Sequence, residues 1–62
     1  MTNSIREIRK EVGMTGVHLA KKAGISRAYL YVLEVGKYEP SAKVRECIAA
    51  VLGKKVSEIF FL

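Results

Sequence analysis

The side chains able to do chemistry in this chain are mostly cations. Eleven Lys and Arg oppose six Glu, with no Asp, one His and one Cys, giving a formal charge of +5 over 62 residues. Acid–base catalysis and metal binding both need several His, Cys, Asp or Glu gathered together, and the Glu residues here form no cluster. His18 has no sequence partner for a metal, because Cys47 falls on the apolar stripe of a different helix. No enzyme activity, cofactor, metal or small-molecule ligand is therefore expected. An excess of positive charge on so small a surface favours a polyanionic partner, nucleic acid first and anionic membrane second. Because the basic residues are spread over several helices and not gathered on one amphipathic face, a membrane surface is the poorer choice.

The elements that must position those cations centre on Met14 to Lys37, MTGVHLAKKAGISRAYLYVLEVGK. Thr15 can cap a helix running through Leu19 and Ala20 to Lys22, Gly24 can take a left-handed turn, and Ser26 can cap a second helix ending at Gly36. Met14 with Leu19, and Ile25 with Leu30, have the spacing of hydrophobic staples, which fix the angle at which the chain enters each helix. His18 falls where a capping box would want Glu or Gln. Two helices joined this tightly cross steeply and need a small residue at the crossing, and Ala20 is in that place. The expected result, over about residues 15–36, is a helix-turn-helix whose second helix can lie in a DNA major groove.

The rest of the chain reads as helical support. Ile5, Ile8 and Val12 recur at helical spacing and Gly13 closes that first helix. After the loop from Gly36 to Pro40, Ser41 can cap a fourth helix with Val44, Cys47, Ile48, Val51 and Leu52 as its buried stripe, ended by Gly53. Ser57 can cap a short fifth helix with Val56, Ile59 and Phe60 turned inward. No alternating strand pattern of useful length is present. The expected fold is a compact all-α, five-helix domain occupying 1–62, marginal in size because such a chain buries only about 60% of its unfolded surface. A lone cysteine excludes an intramolecular disulfide, and neither a signal peptide nor an apolar run near the ~20 residues of a membrane span is seen. A cytoplasmic protein is expected.

At Ala20, Gly24, Ile25, Leu30 and Leu33 the chain resembles the Cro/repressor-type helix-turn-helix proteins, the XRE family. Beside those helix-turn-helix residues, four supporting pieces agree in order: an IREIRKEVGMT opening, a GISRAYLYVLEVGK centre, a loop ending in Pro40-Ser41, and the ALG-like AVLGKKVSEIF close. The resemblance runs from about Ile5 to Phe60 and implies a five-helix domain of lambda-repressor-like type that binds operator DNA, usually as a homodimer. It also implies a structural ion pair between Arg9 on helix one and Glu34 at the end of helix three. Two departures stand out. Gly16 occupies a position where the family usually has Gln to help fix a phosphate contact and the reading helix, and Glu39 puts a negative charge in a loop the family often makes basic.

If Leu30 and Leu33 face inward, helical geometry over about residues 27–35 turns Arg27, Ala28, Tyr31, Val32 and Val35 outward. Arg27 stands where the family's base-reading side chains begin and can offer two donors to guanine O6 and N7, a contact worth roughly 1–3 kcal/mol of discrimination. A phosphate contact or a solvated arginine is its alternative. Ala28 and Val32 match other reading positions and can meet a thymine methyl, while Tyr31 can reach a base edge or a phosphate. Phosphate contacts are expected from Thr15 and Gly16, at a helix start whose N–H groups favour anions, and from Tyr29, Lys37, Tyr38 and Lys43. Lys21 and Lys22 read as solvated. One of the three groups in Phe60-Phe61-Leu62 is hard to bury within so small a monomer, and an exposed apolar C-terminus suggests a dimer surface of Phe61 and Leu62 joined by Ile59, with a frayed end or a boundary cut from a longer chain as the alternative.

Two functions fit. The first is a DNA-binding transcriptional regulator, a repressor occupying a two-fold-related operator as a homodimer with recognition helices about 34 Å apart. The alternative is a protein-interaction module, antitoxin-like or partner-masking, that reuses the fold; Ala28, Val32, Val35, Gly16 and Glu39 are its support. Binding through several phosphates must weaken steeply with salt, whereas apolar docking should not.

Overall fold

The computed structural model describes residues 2–61. Its elements are β1 (Thr2–Asn3), α1 (Ile5–Glu11), α2 (Gly16–Ala23), α3 (Arg27–Glu34), α4 (Ala42–Leu52), α5 (Val56–Ile59) and β2 (Phe60–Phe61). The five helices stand in the order expected from the caps and apolar spacing. Ile5, Leu19, Leu30, Leu33, Ile48 and Ile59 are fully buried, with Ala20, Ala49, Leu52 and Phe60 nearly so. Met14 and Ile25, the residues before the caps of α2 and α3, pack against this core. None of the described helices is long and apolar enough to cross a membrane.

Both helix starts of the central motif use the same device. The hydroxyl of Thr15 accepts the His18 N–H at 3.1 Å, and that of Ser26 accepts the Tyr29 N–H at 3.0 Å. Each such cap satisfies one of the donors a helix start leaves free and contributes about 1 kcal/mol. Between them Gly24 adopts φ 75°, and the Ile25 N–H donates back to the Ala20 carbonyl at 3.0 Å. The left-handed glycine thus ends α2 and turns the chain sharply toward α3. Ala20, 3% exposed, is packed in the core, the burial expected of a small residue at a close helix approach.

Four local expectations are corrected. Val12 is 48% exposed, since it caps the C-terminus of α1 and the chain departs from the helix at Gly13 before its side chain can reach the core. Cys47, Val44 and Val51 are only half-buried: α4 packs against α2 and α5, and the side it turns inward centres on Ile48, Ala49 and Leu52. Ser57 does not cap α5. The helix starts at Val56, two residues earlier than such a cap implies, Lys55 is its N-cap residue, and the Glu58 carboxylate accepts the Lys55 N–H at 2.9 Å from inside the first turn. Finally, a strand pair exists. Thr2 pairs with Phe61 and Asn3 with Phe60, antiparallel, and the Ser4 N–H donates to the Ile59 carbonyl at 2.8 Å. Two residues per strand are too few to display any alternation in sequence.

Candidate nucleic-acid interface

Helix α3 divides its side chains cleanly. Leu30 and Leu33 anchor it in the core and Tyr29 packs half-buried beside them. Arg27, Ala28 and Tyr31 are exposed on the other side, Tyr31 by 63%, and Val35, which caps the helix, by 47%. Val32 departs from the outward set. It is half-buried, because the chain turns back at Gly36 and the Lys37 N–H donates to the Val32 carbonyl at 3.0 Å.

Three polar contacts hold α3 in place. Arg9 Nε donates to Glu34 Oε2 at 2.9 Å and Arg9 Nη2 to Oε1 at 3.4 Å, so the guanidinium grips both carboxylate oxygens, and Arg9 Nη1 donates to the Met14 carbonyl at 3.1 Å. The two side chains are only 14% and 9% exposed. One guanidinium thus joins α1, the entry to α2 and the end of α3, and its fork geometry suits the task. Asn3 supplies the other anchor. Its Nδ2 donates to the Leu33 carbonyl at 2.8 Å, and its Oδ1 accepts the Ile5 N–H at 3.1 Å. The Leu33 carbonyl therefore receives both Asn3 and the Gly36 N–H, which donates at 3.1 Å. Asn3 was not singled out in the sequence; an Asn two residues before a helix is a local capping signal, but a reach of thirty residues leaves no trace in spacing.

A cleft of about 230 Å³ opens beside the outer face of α3, lined by Arg6, Arg9, Arg27, Tyr31, Glu34 and Val35. Three guanidinium groups meet one carboxylate there, and that carboxylate is already engaged by Arg9. Arg27 and Arg6 make no hydrogen bond or ion pair among the described residues, so their charges are available to a partner. Arg6 on α1 was not expected at this face; charge and periodicity marked it only as lying off the apolar stripe.

The remaining candidates lie around this centre. Thr15 and Gly16 form the start of α2, with the Thr15 hydroxyl occupied by the His18 N–H and Gly16 half-buried beside Arg27. Lys37, Tyr38 and Lys43 are exposed along the loop and the first turn of α4. Glu39 shares that loop, but Arg45 Nη2 donates to its Oε1 at 3.3 Å while Arg45 Nε holds the Pro40 carbonyl at 3.0 Å. The acid in the loop is thus paired with a base from α4. Ile59 is completely buried and cannot be a dimer contact, because α5 turns it into the core to meet the other helices. Phe61 is 41% exposed, and Leu62 lies outside the described residues.

A helix-turn-helix family model matches residues 5–59. The chain belongs to the Cro/repressor-type helix-turn-helix family. Over 60 residues it is 42% identical to an HTH-type transcriptional regulator of Archaeoglobus fulgidus, an alignment covering 97% of this chain and 86% of that protein. It is 47% identical over 55 residues to the immunity repressor protein of Bacillus phage phi105, covering 89% of this chain but 38% of the phage protein. Among solved structures it is similar to the N-terminal DNA-binding domain of SinR from Bacillus subtilis, with a TM-score of 0.77, 38% identity, and coverage of 84% of this chain and 77% of that one. It is similar also to SinR, the master regulator for biofilm formation, in complex with DNA, with a TM-score of 0.78, 38% identity and 84% of both chains covered.

Proposed function

We propose that this chain is a sequence-specific DNA-binding transcriptional regulator that represses by occupying an operator, with α3 in the major groove. The observation that carries the reading is the pair of faces on α3. Its inner side is fixed by Leu30, Leu33 and the Arg9–Glu34 pair, while its outer side presents Arg27, Ala28 and Tyr31 to solvent without polar partners among the described residues. A helix held this firmly, with an unpaired guanidinium at its N-terminal end, suits direct readout of base edges. Arg27 is the base-reading donor, with Ala28, Tyr31 and the edge of Val32 in supporting contact. The start of α2 at Thr15 and Gly16, together with Tyr29, Lys37, Tyr38 and Lys43, positions the protein on phosphates, and Arg6 adds a cation at the edge of the same face.

The similarity to SinR, solved in complex with DNA, and to a phage immunity repressor supports this reading and its sign. Binding, not catalysis, is the activity, and double-stranded DNA in the cytoplasm is the partner. Two copies related by a two-fold axis would set their α3 helices one helical turn apart, with Phe61 on β2 as the described residue best placed for contact between them.

Measuring affinity for duplex DNA across salt concentrations tests the electrostatic half of this proposal. Each neutralised phosphate contributes about −0.9 to the slope of log K against log salt, and a dimer using Lys37 and Lys43 should show a slope steeper than about −3. A flat dependence would instead favour apolar docking of a protein partner on Tyr31 and Val35.

A further inference from the structure

Four of the five glycines have φ between 71° and 80°, a backbone region that other residues rarely occupy. Gly16 is the exception: it opens α2 in ordinary helical conformation, where alanine would favour the helix more. Its use must therefore lie in what its missing side chain leaves room for. A Cβ at this position would stand 3.2 Å from Arg27 Nε, 3.9 Å from Nη2 and 4.0 Å from Cζ. The guanidinium of Arg27 thus rests on the bare first turn of α2. No hydrogen bond or ion pair among the described residues orients that group, and Arg6 and Arg9 line the same cleft from α1. Like charge disfavours a swing toward α1, and the surface of Gly16 sets the direction that remains.

We propose that Gly16 is a specificity-determining position acting through the space it leaves: it seats the Arg27 guanidinium and so fixes which base pair that fork addresses. This rests on the reading of Arg27 as a base contact. Gly16 is a positioning residue: the backbone at this helix start can meet a phosphate on any sequence, and its effect on base choice passes through Arg27. A short substituent asks the flexible end of Arg27 to yield by a few tenths of an ångström, whereas a long side chain takes the seat outright.

The test uses Gly16→Ala, Gly16→Gln, Arg27→Ala and the Gly16→Gln/Arg27→Ala double variant of the whole chain, with two readouts. The first is ¹⁵N relaxation of the Arg27 Nε–Hε group in the free protein. The second is discrimination at the base pair whose preference Arg27→Ala removes. In Gly16→Gln the Nε–Hε group should become more mobile and discrimination at that pair should fall roughly tenfold, while Gly16→Ala keeps most of it. In the Arg27→Ala background Gly16→Gln should change that discrimination no further. Retained discrimination with unchanged Nε–Hε relaxation in Gly16→Gln would overturn the proposal, as would an equal loss with and without Arg27. If the unaltered protein selects no sequence, the DNA-binding reading falls, and the relaxation comparison alone still decides whether Gly16 seats the guanidinium.

Discussion

The two sides of α3 spend the same eight residues in opposite ways. On the inner side every group is committed: Leu30 and Leu33 to the core, Glu34 to Arg9, and the Leu33 carbonyl to Asn3 and Gly36. On the outer side Arg27 and Tyr31 have no such commitments among the described residues, and Ala28 is small enough to allow close approach. The contrast teaches that one helix can be rigid without being closed to a partner. Its stability is drawn from residues that are buried or already paired, so changes on the outer side are expected to alter recognition at little cost to folding.

The largest expected effect lies on the inner side. Leu33→Ala should lower the unfolding free energy by about 2–5 kcal/mol, measured by chemical denaturation. That is a large share of the roughly 3–9 kcal/mol that a chain of this size has at ~0.05–0.15 kcal/mol per residue. A loss well under 1 kcal/mol would mean that the core does not hold α3, and the contrast would break.

Glu34→Ala comes next. Removing the carboxylate strands a guanidinium that is mostly shielded from water, and a loss of about 2–3 kcal/mol in stability is expected, with base preference unchanged in the molecules that remain folded. Equal stability with an altered operator preference would instead move Glu34 to the reading side.

On the outer side, Arg27→Ala should leave the thermal midpoint nearly unchanged and cost roughly 1–3 kcal/mol of discrimination at one base pair per half-site. Competition binding against single-pair variants of a selected site measures this. A uniform loss across all sequences would make Arg27 a phosphate contact.

The smallest effect is expected from Glu39→Gln. The Arg45–Glu39 pair has chemistry like that of Arg9–Glu34, but Glu39 is 63% exposed, and such pairs contribute less than about 1 kcal/mol. Denaturation should barely change. DNA affinity should rise slightly as a negative charge leaves the loop beside Lys37 and Tyr38, and lower affinity would show that Glu39 serves the interface itself.

Much of this division was legible in the residues. Thr15, Ser26 and Ser41 act as caps because a hydroxyl at a helix start answers a local need, and local needs leave local signals. Leu30 and Leu33 followed from helical period in the same way. The Arg9–Glu34 contact rested on the family resemblance, since no spacing rule links residues twenty-five apart. Asn3 escaped notice because its decisive bond reaches Leu33 across the fold, and the β1–β2 pair because it joins the two ends of the described chain. Ile59 is buried, against expectation, because an apolar run at the end of a sequence does not say which members α5 turns inward. The outward set on α3 emerged from geometry once two inward positions were chosen, with Val32 shifted by the turn at Gly36.

The most direct test of the central claim is selection of binding sites from a random duplex library at two salt concentrations. An inverted repeat with half-sites about one helical turn, ~34 Å, apart, enriched at both, is the predicted result. Weak and unselective binding that disappears at the higher salt would contradict it, leaving a basic surface without a reading helix.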